Sequence, residues 1–346
     1  MGDKIKMNFK EYIKRNEYDF IRDNSRLGNH IILLGVSGSY GYGTNREGSD
    51  VDFRGITLNL PSDLIGFTEF EQFEDRKTDT VIYSFNKIIK LLINCNPNTI
   101  EILGIDEDEY VIKSETGQEL LDNKDMFLSK RAATSFGHYA DAQLRRLQNA
   151  IARDSMTQPE QEEHIIRSVQ YALDDYNRRQ TLSGQGETNL YIDDAVTEGL
   201  DKEIFVDGVM KHFPLRAYND MMNTMNTVIR EYDKIGKRNK KKDDNHLNKH
   251  AMHLVRLFMM GTDILENGLI RTRRPDDELK LLRSIRDGKY MVDGRLNDDF
   301  YNIVAEFEEK YRKAELRSKL PDNPDMARIE AFVERINRRV VLGEFL

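Results

Sequence analysis

Hydrophobic and polar residues follow two different patterns along this chain, and the pattern changes near Asn123. Before that point, the apolar runs Ile31–Val36 and Val51–Leu58 predict two buried strands. Alternating residues in Glu69–Glu74 and in Asp79–Phe85 predict a further pair of antiparallel strands. We therefore expect a sheet in the N-terminal third of the chain.

Short helical segments accompany these strands. The spacing of apolar residues predicts an amphipathic helix over Asn8–Arg22 and another over Asn86–Ile93. The apolar piece Ile100–Leu103 would then close the sheet. Together these segments predict a mixed sheet with helices packed beside it.

Almost everything after Met126 repeats with a period of about 3.6 residues, which predicts helices. The candidate helices are Phe127–Arg153, Glu160–Gln180, Leu215–Lys234, Asn245–Glu266, Asp277–Arg286, Asp298–Ser318 and Met326–Arg339. A loop over Thr181–Glu187 and a basic connector over Gly236–Lys242 interrupt them, and the connector is either a solvated turn or a contact to nucleic acid. We predict an α+β fold of two domains, a mixed-sheet head of residues 1–123 and an all-helical domain of residues 124–346.

Composition narrows the class of protein. The chain has 346 residues, 39% of them hydrophobic, which is enough to build globular cores. Its net charge of −8 disfavours a protein that binds nucleic acid over its whole surface. Cys95 is the only cysteine, which excludes an internal disulfide and disfavours a cysteine zinc site. No apolar run approaches the roughly 20 residues that cross a bilayer, and Met1–Lys6 is charged. We expect a cytoplasmic protein.

The most distinctive stretch joins the first two predicted strands. A glycine-rich turn, Gly38-Ser39-Tyr40-Gly41-Tyr42-Gly43, follows the first strand, and Asp50 and Asp52 open the second. Residues two apart on a strand point to the same face, so both carboxylates project toward whatever the turn holds. Two like charges so close together need a cation between them, and carboxylate oxygens suit Mg²⁺ or Mn²⁺.

The same stretch resembles a known family. The pairs Gly38-Ser39 and Tyr42-Gly43, followed by Ser49-Asp50-Val51-Asp52 and Arg54-Gly55, resemble the signature of DNA polymerase β-like nucleotidyltransferases. Within that superfamily the pattern is similar to the RlaP family, which is associated with RNA repair. Two further stretches, Asn96–Leu103 and Lys249–Leu257, look like the same family, so the resemblance extends from about Ile31 to about Tyr290.

The resemblance implies a reaction and its cofactors. A nucleophile would attack the α-phosphate of a nucleoside triphosphate, and pyrophosphate would leave with the help of two Mg²⁺ or Mn²⁺ ions. Asp50 and Asp52 would hold these ions with a third carboxylate, for which Asp79 is our choice and Glu101 the rival.

The resemblance also implies phosphate contacts. Gly38 and Ser39 would form a small nest of N–H and hydroxyl donors for the β- and γ-phosphates. The remaining residues assigned to nucleotide binding are Tyr42, Ser49, Arg54, Lys249, His253 and Arg256.

Some of these roles have alternatives. Arg54 lies on the strand face of the two aspartates and either contacts a phosphate or braces a carboxylate, and a structural salt bridge fits equally well. Lys249 and Arg256 lie on one stripe of a predicted helix and suit phosphate contacts, with Tyr139 and Arg145 as further candidates on another helix. His253 is either their hydrogen-bonded partner or a core residue.

Three functions follow from the sequence. The first, whose acceptor is implied by the family resemblance, is transfer of a nucleotide to an RNA end, with tRNA as the first choice, in RNA repair. The second is transfer of AMP to a protein, as in antitoxins of this superfamily, and the acidic net charge favours it over RNA. The third is a nucleotide-binding protein without turnover, which the presence of Gly38, Ser39, Asp50 and Asp52 disfavours.

Overall fold

The computed structural model of the chain describes residues 7–154, 186–197, 202–212, 244–292 and 295–345, with positions 214–216, 218–219, 222–223, 225–226 and 229. The chain divides into two compact units, Met1–Leu147 with Asp244–Leu346, and Gln148–Asp243. Asn123 is therefore not a boundary between these units, because the helices from Asp244 onward belong with the sheet. The assignment of residues 1–123 and 124–346 to two functional domains stays a prediction.

A five-stranded mixed sheet forms the head, in the order β3-β4-β2-β1-β5. Its strands are Ile31–Ser37 (β1), Asp52–Thr57 (β2), Gln72–Asp75 (β3), Thr80–Ser84 (β4) and Tyr110–Lys113 (β5). Strand β1 runs antiparallel to β2 and β5, and β3 runs antiparallel to β4. Strands β2 and β4 are parallel, with Phe53 opposite Thr80, so the residues that precede these two are neighbours.

The burial of the strands explains why the sequence pattern found them. All residues of β1 are buried, which matches an uninterrupted apolar run in a central strand. In β4, Thr80, Ile82 and Ser84 are buried and the residues between them are half-buried, which is the alternation of a strand with two unequal faces. The α+β class and the mixed sheet are confirmed.

Helices make up most of the rest of the described chain. They span Phe9–Tyr12, Phe20–Asp23, Gly38–Gly41, Pro61–Leu64, Phe85–Ile93, Pro97–Ile100, Glu115–Asp122, Arg131–Asp154, Asp244–Asn267, Asp276–Arg286, Asp298–Arg317 and Met326–Val341. The five long helices predicted from the 3.6-residue period within the described part of the chain are confirmed to within a few residues at each end.

Two predicted elements of the head were wrong. The segment Asn8–Arg22 forms two short helices separated by a 3-10 turn. The apolar piece Ile100–Leu103 is helical instead of a strand, because Asn96 caps the segment and Pro97 occupies its first turn. The strand that completes the sheet is β5, which the sequence pattern did not identify.

The second unit contains an antiparallel hairpin of Gly186–Asp194 (β6) and Lys202–Met210 (β7), within a region predicted to be all-helical. Its start overlaps the end of the loop predicted over Thr181–Glu187. The predicted helix Glu160–Gln180, the basic connector Gly236–Lys242 and much of Leu215–Lys234 lie outside the described residues. A second, two-residue hairpin joins Met291–Val292 (β8) to Arg295–Leu296 (β9) in the first unit. Within the described parts of the chain, no helix is long and apolar enough to traverse a lipid bilayer.

Candidate functional site

A cavity of about 840 Å³ lies within the first unit, between the starts of β2 and β4 and the helix Asp244–Asn267. This volume is in the range of small-molecule binding sites. The predicted site residues that line it are Gly38, Ser39, Tyr42, Ser49, Asp50, Asp52, Asp79, Lys249, His253 and Arg256. Residues more than 200 positions apart in the chain therefore meet at one site.

Gly38 directly follows β1 and lies against Asp52. Its φ is +58°, a left-handed conformation that side chains rarely adopt, and a Cβ built there would lie 1.7 Å from Asp52 Oδ2. The sequence suggested that glycine allows the backbone to approach phosphate. The structure gives a second reason, because only a glycine leaves room for the Asp52 carboxylate.

Asp52 and Asp79 are brought together by the register of the two parallel strands. Each precedes one member of the Phe53–Thr80 pair. The pKa of Asp52 is raised to about 6, first by burial and then by the nearby carboxylate of Asp79, while Arg54 and Lys249 offset part of the shift. Asp50 lines the same cavity and is exposed. We call Asp50, Asp52 and Asp79 the carboxylate wall.

Arg54 contacts Asp79 and does not line the cavity. Its Nη1 donates to the backbone carbonyl of Asp79 at 2.5 Å, and its Nη2 donates to Asp79 Oδ1 at 3.0 Å. Asp79 has a φ of +43°, which is uncommon for a residue other than glycine. These contacts fit the alternative role, in which Arg54 braces a carboxylate, and the assignment of Arg54 to nucleotide binding stays a prediction.

The carboxylate wall suits a divalent cation by its chemistry. Mg²⁺ prefers oxygen ligands, and a cation beside Asp52 and Asp79 would relieve the repulsion that raises the pKa of Asp52. Among the described residues, however, no three His, Cys, Asp or Glu side chains are grouped closely enough to hold a metal ion. The pair of Asp52 and Asp79 fits a cation, and the assignment of Asp50 as a further ligand stays a prediction.

Glu101, the rival third carboxylate, lies behind the cavity instead of lining it. It is 7% exposed, and it accepts hydrogen bonds from the Tyr42 hydroxyl, from Ser37 Oγ at 3.3 Å and from Arg256 Nη1 at 3.3 Å. Its oxygens are occupied by protein donors. Of the two candidates, only Asp79 is placed beside Asp52.

The opposite side of the cavity is positively charged. Lys249, His253 and Arg256 lie on one stripe of the helix Asp244–Asn267, and we call them the cation wall. Arg256 is 3% exposed, and its guanidinium lies 3.5 Å from the centroid of the Tyr42 ring. Lys249 is exposed. Burial lowers the pKa of His253 well below its usual value, and the charge of Arg256 lowers it further.

The helix Arg131–Asp154 contributes residues that the sequence interpretation missed. Arg146 lines the cavity and is exposed, and Gln143 lines it beside His250, with 2.6 Å between Gln143 Nε2 and His250 Nδ1. Tyr139 instead accepts a hydrogen bond from Asn96 Nδ2 at 3.1 Å, and the side chain of Arg145 lies outside the described residues. The 3.6-residue period predicted this helix, but it did not show which of its residues face the cavity.

Two arginines connect the glycine-rich turn and the loop after it to the end of the helix Asp276–Arg286. Arg283 donates two hydrogen bonds to the carbonyl of Gly43, at 3.0 Å from Nε and 2.6 Å from Nη2. Arg46 donates to the carbonyl of Arg286 and to Asp287 Oδ1, the latter at 2.5 Å. These bonds explain how a helix far along the chain fixes the loop that carries the motif. No sequence motif signalled them.

Comparison with known proteins places the chain in a family. A family model described as "RNA repair pathway DNA polymerase beta family", RlaP, matches residues 1–172, which include the glycine-rich turn and the carboxylate wall. Neither the curated proteins nor the solved structures contain a match to the chain. Through residues 1–172, the chain belongs to the RlaP family of DNA polymerase β-like proteins of RNA repair.

Proposed function

We propose that this protein is a metal-dependent nucleotidyltransferase that transfers a nucleoside monophosphate from a nucleoside triphosphate to an RNA end, with release of pyrophosphate. The observation that carries the proposal is the contact between Asp52 and Asp79 beside Gly38, across one cavity from Lys249. Carboxylates suited to divalent cations and side chains suited to phosphate are thus present in the same site.

The chain's own groups would bind and orient the triphosphate. Gly38 and Ser39 would offer backbone N–H groups and a hydroxyl to the terminal phosphates, with Tyr42 and Ser49 beside them in the lining. Lys249 is an exposed point charge that can follow a flexible phosphate chain. Holding the nucleotide and the acceptor in line is itself a large part of catalysis in phosphoryl transfer.

Divalent cations complete the proposed site. Asp50, Asp52 and Asp79 would hold them, and when bound they supply Lewis-acid stabilisation of the charge on the transferred group. Mg²⁺ or Mn²⁺ is the expected ion, with two ions as in the superfamily that the motif resembles. Arg54 would keep Asp79 turned toward Asp52 for this purpose.

The acceptor is proposed from the family description, which names RNA repair. An RNA end, with tRNA as the first choice, supplies a hydroxyl that can attack the α-phosphate. Arg146 and Lys249 are exposed cations at the cavity and would favour a polyanionic acceptor despite the net charge of −8. A protein acceptor is the other outcome that the experiment must distinguish.

The experiment offers each α-labelled nucleoside triphosphate, with Mg²⁺ or with Mn²⁺, to the purified protein in the presence of tRNA or of total protein. Label in RNA supports the proposal, and loss of that label in an Asp50→Ala/Asp52→Ala variant assigns it to this cavity. Label in protein instead of RNA would replace the proposed acceptor by a protein. Absence of label in both acceptors would refute nucleotidyl transfer to either.

A further inference from the structure

The contact between Arg256 and His253 determines how the histidine is protonated. Arg256 Nη2 lies 2.7 Å from His253 Nδ1. A guanidinium has donors only and is always charged in proteins, so Nδ1 must be the acceptor and carries no hydrogen. A neutral imidazole has one N–H, which must then be on Nε2.

Arg256 is itself held in place by three other groups. Its Nη1 donates to Glu101 Oε2 at 3.3 Å and approaches Met260 Sδ at 3.5 Å. Its planar face covers the Tyr42 ring, and Tyr42 donates its hydroxyl hydrogen to the same carboxylate. Glu101 balances the charge of this buried guanidinium, and the three contacts leave the guanidinium little freedom to rotate.

The second nitrogen of His253 is available to a ligand. The ring is half-buried and lines the cavity, and Nε2 lies on the side of the ring away from Arg256. Within the described chain, no side chain hydrogen-bonds to Nε2. Lys249, Arg146 and Arg256 surround the ring with positive charge, so the group that Nε2–H meets should be an anion.

We propose that Glu101 and Arg256 lock His253 in its neutral Nε2–H form, and that this N–H donates a hydrogen bond to a phosphate oxygen of the bound nucleotide. The inference rests on the proposed function for the identity of the anion. It assigns Glu101 and Arg256 to positioning, and His253 to direct contact with the triphosphate.

This arrangement also excludes one role for His253. A general base needs a free nitrogen lone pair directed at the hydroxyl that it deprotonates. The lone pair of Nδ1 is taken by Arg256, and Nε2 carries a hydrogen, so His253 cannot accept a proton from the acceptor hydroxyl while this contact holds.

The first test is nuclear magnetic resonance of the ¹⁵N-labelled full-length protein, which reads the tautomer without any enzymatic assay. We expect His253 to show hydrogen on Nε2 and none on Nδ1, and its Nε2–H signal to shift when Mg²⁺ and inorganic tripolyphosphate are added. A Glu101→Gln variant should give a mixture of tautomers, because the guanidinium loses its charged partner. Hydrogen on Nδ1 in the wild type would overturn the proposal, and an unchanged tautomer in the variant would remove Glu101 from it.

A matched pair of variants tests the hydrogen bond. The amide nitrogen of Gln reaches the position of the histidine Nε2, whereas that of Asn reaches only the position of Nδ1. We expect His253→Gln to bind Mg²⁺-tripolyphosphate within about threefold of wild type and His253→Asn to bind it at least roughly tenfold more weakly, as for a lost hydrogen bond to a charged group. Thermal melts check that both variants fold.

If both variants bind Mg²⁺-tripolyphosphate as tightly as the wild type, the proposed hydrogen bond from His253 Nε2–H to phosphate is wrong. The result is independent of turnover. If the tautomer and the binding difference are found but no label enters RNA or protein, nucleotidyl transfer fails while the assignment of His253 to phosphate binding stands.

Discussion

The two walls of the cavity differ in how the charges of their side chains are balanced. The carboxylate wall brings Asp52 and Asp79 together, and Asp79 adopts a left-handed backbone conformation. In the cation wall, Arg256 is buried and bonded to Glu101, His253 and the Tyr42 ring. The close carboxylates of the first wall are unfavourable on their own, whereas the two terminal nitrogens of the Arg256 guanidinium already have partners in the protein, and its Nε is buried without one among the described residues. Unrelieved charge therefore marks where the chemistry is expected, and satisfied charge marks the support.

The largest effect should come from filling the space between Gly38 and Asp52. A Gly38→Ala substitution places a Cβ within 1.7 Å of Asp52 Oδ2, so the carboxylate must move. Displacement of a reacting group by about 1 Å can reduce turnover about 100-fold, and we expect a loss of that order in nucleotide incorporation.

Gly48 is the matched control for this change. It also has a positive φ, +78°, but no atom lies within 4 Å of the position that a Cβ would take. Gly48→Ala should therefore cost the backbone strain, about 1 kcal/mol of stability, with less than tenfold loss of incorporation. Equal losses in the two variants would show that the clash with Asp52 is unimportant.

The next effect tests the support of the carboxylate wall by Arg54. An Arg54→Gln variant removes the bonds to the carbonyl and the carboxylate of Asp79. Loss of such a supporting contact typically reduces metal affinity or activity 10- to 100-fold. We therefore expect the Mg²⁺ concentration that gives half-maximal incorporation to rise at least about tenfold.

The comparison variant for Arg54 is Lys14→Gln. Lys14 forms an exposed ion pair with Glu11, 2.6 Å long, on the N-terminal segment, and its loss should leave the Mg²⁺ dependence unchanged. If Arg54→Gln has the same Mg²⁺ dependence as wild type, the guanidinium is a structural salt bridge and does not serve the site.

A smaller effect concerns stability in the absence of metal. The pKa of Asp52 is about 6 in the folded protein against 3.8 for the free side chain, so ionisation at neutral pH favours the unfolded chain. The stability that a protonated Asp52 provides is present below pH 3.8 and is lost as the pH rises through 6. With EDTA at pH 7, Asp52→Asn should raise the free energy of unfolding by about 1 to 2 kcal/mol after screening by solvent.

Chemical denaturation with and without Mg²⁺ measures this effect. Mg²⁺ should stabilise the wild type and leave Asp52→Asn nearly unchanged. Asp50→Asn is the control, since Asp50 is exposed and its substitution should change the metal-free stability by less than about 0.5 kcal/mol. If the metal-free Asp52→Asn protein is less stable than wild type, the ionised Asp52 carboxylate does not destabilise the folded protein.

The part of the site that is local in sequence was the part that could be predicted. Strand β1, the glycine-rich turn and Asp52 follow one another, so strand periodicity and turn chemistry were enough to place them. The role of Glu101 was not predictable in this way, because a buried Glu within an apolar piece reads equally as strand or helix. The strand–helix ambiguity of such short runs also concealed β5.

Contacts between distant segments left no sequence signal. Arg283 and Gly43 are 240 positions apart, and Arg256 and Glu101 are 155 apart. Periodicity reports which face of a helix is buried but not which partner covers it. For the same reason Lys249 and Arg256 could be assigned to one stripe, whereas the pairing of Arg256 with Glu101 and the role of Arg54 required the structure.

The smallest expected effect tests the contact between Arg256 and His253. The pKa of His253 is lowered by burial and by Arg256, with His250, Lys249 and Arg146 adding to the effect. Below about pH 6.5 the unfolded chain binds a proton at this histidine and the folded chain does not, so the wild type loses stability as the pH falls. His253→Gln removes that proton, and its stability relative to wild type should therefore rise by about 1 kcal/mol between pH 7.5 and pH 5. Urea denaturation at both pH values measures the difference, with the exposed His246→Gln as the reference. Parallel pH profiles for wild type and His253→Gln would mean that the folded protein protonates His253 freely, and Arg256 could then not be its fixed hydrogen-bond donor.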